Sequence, residues 1–178
     1  LLTAHSAYMM ALYRHRPQLT KKLNSLFEQY AQSIASEFGH IGNNVIIRNC
    51  HIIKNVKIGD NATLEGCSEL INGSINSNTF APVYIGINVI AHSFVVSSGS
   101  EITEAAIIDR CFVGQGCQIG KQYSAADSLF FCNCQGFHGE AASIFAGPFT
   151  VTHHKSSLLI AGMFSFLNAG SGSNQSNH

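Results

Sequence analysis

The sequence predicts a mainly β fold in which short strands coil around a common axis, preceded by an α-helical segment. Two patterns lead to this prediction. Apolar residues recur at three- and four-residue steps before residue 40, and then at six-residue steps over about residues 41–124. No helix has a period of six, and a sheet of hairpins does not hold one phase for so long. A coil of short strands and tight turns does both, because every turn reuses the same geometry.

The three- and four-residue steps predict an amphipathic helix over residues 17–38. Its apolar positions are Leu19, Leu23, Leu26, Phe27, Tyr30, Ile34 and Phe38. Pro17 stands at its start, where the first helical turn tolerates proline. A shorter helix is predicted over residues 4–14, and Gly39 is expected to end the helical pattern.

The six-residue repeat falls into two blocks. The first block is Ile46, Ile52, Ile58, Leu64 and Leu70, and the second is Val83, Val89, Val95, Glu101, Ile107, Val113 and Ile119. All of these positions except Glu101 are aliphatic. The phase slips by one residue between the blocks, across the stretch INSNTFAP. We therefore predict a loop insertion near residues 75–82.

This repeat resembles that of the hexapeptide-repeat proteins over roughly residues 41–124. The resemblance implies a left-handed parallel β-helix with three strands and about 18 residues per coil, in which the aliphatic residues point inward. The last part of the chain, beginning DSLFFCNC, is similar to a bacterial family of uncharacterised hexapeptide-repeat proteins. This second resemblance implies the fold and a bacterial origin, and it implies no reaction.

An 18-residue spacing extends the predicted β-helix beyond the simple motif, to at least residue 167. Three stacked inward columns are expected. The first is Val95, Val113, Phe131, Phe149 and Leu167; the second is Val89, Ile107, Ala125, Ser143 and Ala161; the third is Val83, Glu101, Ile119, Phe137 and Lys155. Lys155 is expected to be displaced outward, because a buried unpaired lysine would lose its charge.

The same patterns predict the domain organisation. We expect a helical N-terminal segment over residues 1–39 and a β-helix over residues 40–178. The chain starts without Met and ends in the polar stretch NAGSGSNQSNH, so it is expected to be a fragment of a larger protein. No secretory signal is recognisable at the start, which favours a cytoplasmic location.

The balance of charges limits the expected partners. Lys+Arg and Asp+Glu number 10 each, and charged residues make up only 11% of the chain. Phosphate binding needs a concentrated basic patch, so nucleic acid is not an expected partner. No run of about 18 apolar residues occurs, so no membrane partner is expected. So few charges favour a surface that is covered by self-association.

The six cysteines are expected to be buried free thiols in a reducing compartment. The stretch CNCQGFH offers Cys132, Cys134 and His138 as possible zinc ligands. It lacks the C-x₂-C spacing of common structural zinc sites, so we predict no metal site.

The resemblance to hexapeptide-repeat proteins also implies a reaction. The enzymes of that superfamily are mostly acyltransferases, often homotrimers, which use acyl-CoA or an acyl carrier protein and a histidine general base. We therefore expect a homotrimer that transfers an acyl group, with acyl-CoA as donor, to a hydroxyl or amine of a sugar or sugar nucleotide. The base must lie within hydrogen-bond reach of that acceptor.

His154 and His138 are the candidate bases. The 18-residue columns place His153 inward and His154 outward, in mid-strand between Gly136 and Gly172 of the neighbouring coils. That position predicts a shallow groove with room for a ligand beside His154.

His138 is predicted at a turn, with Glu140 two residues on to orient its imidazole. The candidate substrate-binding residues are Ser156, Asn168, Asn174 and Gln175. Ser156 and Asn174 follow His138 by 18 and 36 residues, so we expect all three on one edge of the β-helix.

Two other functions stay open. The β-helix could be a non-catalytic module for trimerisation or sugar binding. Alternatively, His138, His153 and His154 could contribute to a metal site between subunits, as in carbonic anhydrases of this fold.

Overall fold

The computed structural model describes residues 3–176. The chain divides into two compact units, Leu1–Phe38 and Gly39–His178. The first holds helices α1 (Ala4–Leu12) and α2 (Pro17–Ile34). Thr3 caps α1, because its hydroxyl accepts the backbone N–H of Ser6. Helix α2 ends four residues before the predicted end, since Ala35 is already extended, with φ −63° and ψ 140°.

The second unit is a stack of short parallel strands. They are β1 (His40–Ile41), β2 (Ile46–Arg48), β3 (Ile52–Ile58), β4 (Thr63–Glu65), β5 (Glu69–Ile75), β6 (Tyr84–Ile85), β7 (Ile90–Val96), β8 (Glu101–Ile102), β9 (Ile107–Asp109), β10 (Phe112–Val113), β11 (Gln118–Gly120), β12 (Ser124–Ala126), β13 (Leu129–Phe130), β14 (Gln135–Phe137), β15 (Glu140–Ala142), β16 (Phe145–Ala146), β17 (Val151–Thr152), β18 (Leu158–Ile160), β19 (Met163–Phe164), β20 (Asn168–Ala169) and β21 (Asn174–Ser176). The mainly β coil that the sequence predicts is confirmed, and it extends past residue 167.

The strands form three faces. Face 1 is an eight-stranded sheet of β2, β4, β6, β8, β11, β14, β17 and β20. Face 2 contains β9, β12, β15, β18 and β21 with the first halves of β3, β5 and β7. Face 3 contains β1, β10, β13, β16 and β19 with the second halves of those three long strands. Eight strands on face 1 correspond to eight coils.

Most neighbouring strands are offset by 17 residues, as Gln118 pairs with Gln135 and Phe112 with Leu129. The offset is 21 residues between Thr63 and Tyr84. The extra residues lie between β5 and β6, where the insertion is predicted.

The inward side chains form one column on each face. The columns are Leu64, Ile85, Ile102, Ile119, Gly136, Thr152 and Ala169 on face 1; Leu70, Ala91, Ile108, Ala125, Ala141 and Leu159 on face 2; and Ile58, Ile75, Val96, Val113, Phe130 and Ala146 on face 3. Each large side chain buried in this way stabilises the stack by about 1.5–3 kcal/mol.

The predicted 18-residue columns are wrong in register. Glu101 is exposed and its neighbour Ile102 is buried, while Phe149 is 53% exposed. Because side chains alternate across a strand, one residue of offset moves a side chain to the other surface of the sheet. Lys155, which also belonged to a predicted inward column, is exposed, in agreement with its expected displacement.

Non-glycine residues with positive φ form many of the corners between faces. Asn55 and Asn72 have φ of 53° and 54° at successive corners, and the Nδ2 of Asn55 donates to the Oδ1 of Asn72 at 2.8 Å. Asparagine tolerates this left-handed conformation better than other side chains do. The side-chain hydrogen bond therefore links two coils at a sharp bend.

All six cysteines lie within the described residues and are free thiols; Cys67, Cys111, Cys117 and Cys134 are buried. The Sγ of Cys117 donates to the carbonyl of Phe131 at 2.9 Å, and that of Cys134 to the carbonyl of Gly147 at 3.2 Å. Burial is the main cause that raises the pKa of the Cys111 thiol to about 11. Among residues 3–176, no helix has the length and apolar character needed to cross a membrane.

Candidate functional site

A groove of about 400 Å³ opens on the outer surface of face 1. We call it the face 1 groove. Three columns of side chains line it: two columns belong to the outward positions of strands, and the third belongs to the corner that leads to face 2. Each column repeats at 17-residue steps, because successive coils on this side of the insertion have that length.

The first column is Tyr84, Glu101 and Gln118, which are the outward residues of β6, β8 and β11. Partial burial, followed by the charges of the Glu65 and Glu101 carboxylates, raises the pKa of the Tyr84 phenol. This end of the groove therefore combines an aromatic ring with negative charge.

The second column is Gly86, Thr103, Gly120 and Phe137, and it forms the floor and one wall. A Cβ on Gly86 would lie 3.1 Å from the Cγ2 of Thr103. On Gly120 it would lie 2.9 Å from the Oγ1 of Thr103 and 3.5 Å from the Cε1 of Phe137. The absence of these two side chains keeps the groove open on either side of Thr103. Glycine within a strand often marks the close approach of a ligand.

The third column is Ile87, Glu104 and Lys121 at the corner. Glu104 and Lys121 both have a φ of 52°. The Nζ of Lys121 stands 5.5 Å from the ring centroid of Phe137. Within residues 3–176, no basic nitrogen lies within ion-pair distance of Glu101 or Glu104, so both carboxylates face the groove unpaired.

A polar ladder continues from the groove along face 1. The Nε2 of Gln135 donates to the Oε1 of Gln118 at 3.3 Å. The Oε1 of Gln135 is hydrogen-bonded to the Nε2 of His153, whose ring centroid lies 5.2 Å from that of Phe137. An amide oxygen only accepts, so Nε2 carries the proton and Nδ1 of the neutral ring is left as an acceptor. His153 is exposed and does not occupy the predicted inward position, although its predicted neighbour is indeed Gln135.

The two predicted bases lie in different places. His154 follows β17 in an exposed loop and is not in mid-strand, and Gly136 is an inward residue paired with Thr152. The glycine-flanked groove predicted around His154 is therefore absent. His138 lies at a corner with φ 60°, one coil beyond Lys121 in the same register, and follows Phe137 directly. Its turn position agrees with the prediction.

The other predicted site residues spread over several faces. Glu140 is exposed on face 2 and pairs with Leu158, so Ser156 occupies the corner position equivalent to that of His138. Asn174 also pairs with Leu158, two residues away from the predicted stack.

Asn168 points outward on face 1 and pairs with Val151, two coils beyond Gln135's neighbour Gln118 in the same outward column. Gln175 pairs with Leu159 and continues the inward column of face 2. The structure therefore brings none of these polar residues into a single cleft with His154.

The described residues contain no group of three or more His, Cys, Asp and Glu side chains that could hold a metal ion. Of the suggested zinc ligands in CNCQGFH, Cys134 is buried and its thiol is hydrogen-bonded to a carbonyl.

The sequence prediction missed Tyr84, Glu101, Thr103, Glu104 and Lys121 as groove residues. The signal was present as a 17-residue spacing, in which Tyr84, Glu101, Gln118 and Gln135 follow one another. Counting by 18 hid this column.

Comparison with known families gives a match along the whole chain. The family model described as Domain of unknown function (DUF4954) matches residues 1–178. The chain belongs to this family. The DUF4954 chain is also similar to an uncharacterized protein of Treponema pallidum (strain Nichols), with 27% identity over 101 residues. That alignment covers 57% of the chain and 14% of the relative, so the chain spans only a small part of that protein.

Proposed function

We propose that the β-helix binds a sugar in the face 1 groove. The observation that carries this proposal is the pair of glycines, Gly86 and Gly120, on either side of Thr103. Strand positions favour β-branched and aromatic side chains, and glycine weakens a strand. At these two positions the loss of strand stability is offset by a function that needs an open floor.

The walls of the groove suit a sugar. The rings of Tyr84 and Phe137 offer apolar surfaces to the C–H face of a pyranose. Thr103, Gln118 and Glu101 offer donors and acceptors for its hydroxyl groups. An apolar surface with a few directed polar groups is the usual composition of a small-molecule site.

Saturation-transfer NMR with a panel of mono- and disaccharides tests the proposal. Gly120→Ala places a methyl group beside Thr103 and Glu104 and should weaken binding at least ~10-fold, or about 1.4 kcal/mol. Gly170→Ala is the matched control, because a Cβ there meets nothing within 4 Å. No transfer to any sugar with the unsubstituted chain, or unchanged binding by Gly120→Ala, would contradict sugar binding.

A second candidate function is acyl transfer to the bound sugar, and the position of His138 favours it. His138 follows the groove residue Phe137 and shares the corner column of Glu104 and Lys121. In this reaction the imidazole accepts the proton of the attacking hydroxyl or amine. The acyl group moves from the thioester sulfur of acyl-CoA to that oxygen or nitrogen, and CoA leaves as the free thiol.

Chromatographic detection of CoA released from acetyl-CoA tests this second function, with and without a sugar. His138→Ala should lower sugar-dependent release about 100-fold or more while sugar binding persists. His51→Ala is the control, since His51 is an exposed histidine far along the stack. Loss of release in His154→Ala instead would transfer the role of base to the other candidate.

The third face supports self-association, and a homotrimer is the assembly that we propose. Its outward column is Val95, Phe112, Leu129, Phe145 and Met163. An apolar column of this length is unusual on a free surface. Phe112→Glu should convert a trimer to monomers in light scattering, whereas Gln122→Glu at an exposed corner should not. A monomeric unsubstituted chain would contradict the trimer.

The same proposal includes a cytoplasmic location and a bacterial origin. Buried free thiols are typical of a reducing compartment. The relative from Treponema pallidum supports the bacterial origin.

A further inference from the structure

The face 1 groove carries an excess of negative charge. Glu101 and Glu104 line it, and Glu65 lies beside Tyr84 at one end. Lys121 is the basic residue of the lining. Its ammonium lies over the ring of Phe137, and within residues 3–176 it is not within ion-pair distance of either carboxylate. The groove therefore has two carboxylates and one ammonium that do not neutralise one another by contact.

The two aromatic ends of the groove differ in how they are occupied. The Phe137 ring already has the cation of Lys121 above it, at 5.5 Å. The Tyr84 ring lies beside the Glu65 and Glu101 carboxylates, and the described part of the chain places no cation over it. A ring next to carboxylates, with open volume in front of it, is suited to an ammonium group.

We propose that the sugar bound in the face 1 groove carries a protonated amine, held between the ring of Tyr84 and the carboxylate of Glu101. This inference rests on the proposed sugar binding and adds the charge of the ligand. One ammonium balances the one excess carboxylate of the lining. It also gains a charge-assisted hydrogen bond from Glu101 and an electrostatic attraction from the ring.

The orientation of the ligand follows from this placement. With its amine at Tyr84, the sugar ring extends over the open floor at Gly86 and Gly120 toward Phe137. Lys121 already occupies the far ring, so the amine has one favourable end. The hydroxyl groups then lie beside Thr103 and Gln118.

The test compares three matched series of probes by saturation-transfer NMR and calorimetry. Glucosamine and galactosamine carry the amine, N-acetylglucosamine and N-acetylgalactosamine carry it without charge, and glucose and galactose lack it. We expect the amino sugars to bind about 10-fold more tightly than both neutral series at neutral pH. Rising salt should reduce that difference, because it screens charges at the surface.

Three variants assign the preference to residues. Glu101→Gln should remove the 10-fold preference for the amino sugars while binding of the neutral sugars persists. Tyr84→Phe should retain the preference, since the ring stays, and Tyr84→Leu should reduce it. Glu28→Gln in α2 is the control: it changes the net charge equally on an exposed surface outside the β-helix.

Each other outcome overturns a defined part. Equal binding of charged and neutral sugars, with loss of both in Gly120→Ala, leaves sugar binding intact and overturns the amine. Failure of all six probes overturns both proposals. Tight binding of Mg²⁺ or Ca²⁺ alone, lost in Glu101→Gln and displacing the amino sugars, would show that the carboxylates serve a metal and would overturn the amine.

Discussion

The ring of Phe94 lies directly over Gly73 of the preceding coil, so closely that a Cβ on Gly73 would overlap its Cε1 and Cζ atoms. Phe94 is buried, and its ring fills space that a side chain at position 73 would otherwise take. Face 3 thus has one large residue and one glycine in register.

Gly73→Ala should destabilise the β-helix by about 1–3 kcal/mol, because the new methyl group forces the Phe94 ring out of its position. Denaturant unfolding measures the loss, with Gly170→Ala as a control that should change stability by less than about 0.5 kcal/mol. In the double variant Gly73→Ala/Phe94→Ala the two losses should not add, since the clash disappears with the ring. Additive losses would contradict this direct contact.

Phe130 and Phe149 distinguish the observed register from one of 18 residues. Phe130 is 3% exposed, packs edge-to-face on Tyr123 with ring centroids 6.2 Å apart, and belongs to the inward column of face 3. Phe130→Ala should therefore cost about 3–5 kcal/mol of unfolding free energy. Phe149→Ala, at a corner and 53% exposed, should cost less than about 1 kcal/mol. The reverse order would restore the 18-residue columns.

Stability should fall at alkaline pH, and Cys111 contributes to the fall. Its thiol pKa is raised from 9.0 to about 11, mainly by burial. Between these values the unfolded thiol ionises while the folded thiol stays protonated, so rising pH favours the unfolded state. The contribution of Cys111 is complete below about pH 9 and is lost toward pH 11. Cys111→Ala should flatten the pH profile of unfolding free energy in this window, and an unchanged profile would contradict the raised pKa.

The tautomer of His153 is set by Gln135. Long-range ¹H–¹⁵N correlation should show the Nε2-protonated form of the neutral ring, because Oε1 of Gln135 accepts that proton. In Gln135→Leu the partner is lost, and the two neutral tautomers should become mixed. His51, which is exposed, provides the reference signal. A neutral His153 protonated on Nδ1 in the unsubstituted chain would show that the amide is oriented the other way.

Periodicity was sufficient to predict the coil, because repeated turns of equal length leave a repeated apolar pattern in the sequence. The position of the insertion followed from the same pattern, as the phase breaks once between Leu70 and Val83. The end of α2 did not follow: the apolar steps continue to Phe38, but the backbone leaves the helix at Ala35.

The groove was missed because a small error in period grows with each coil. Val113 and Ile119 are inward under either count, but Glu101 and Phe137 change sides. Glu101 then looked like a defect in the core, although it is an outward residue of the groove. His138 could be placed at its corner, since the turn is recognisable locally, but its distance from other histidines depends on the length of each coil.

The outward column of face 1 also sets a length scale. Neighbouring strands stack about 4.8 Å apart, so Tyr84, Glu101, Gln118 and Gln135 cover about 14 Å in three equal steps. A molecule lying along this direction meets a phenol, a carboxylate and then two amides at regular intervals. The β-helix therefore acts as a ruler with unlike marks, and it can distinguish the two ends of a ligand as well as its length.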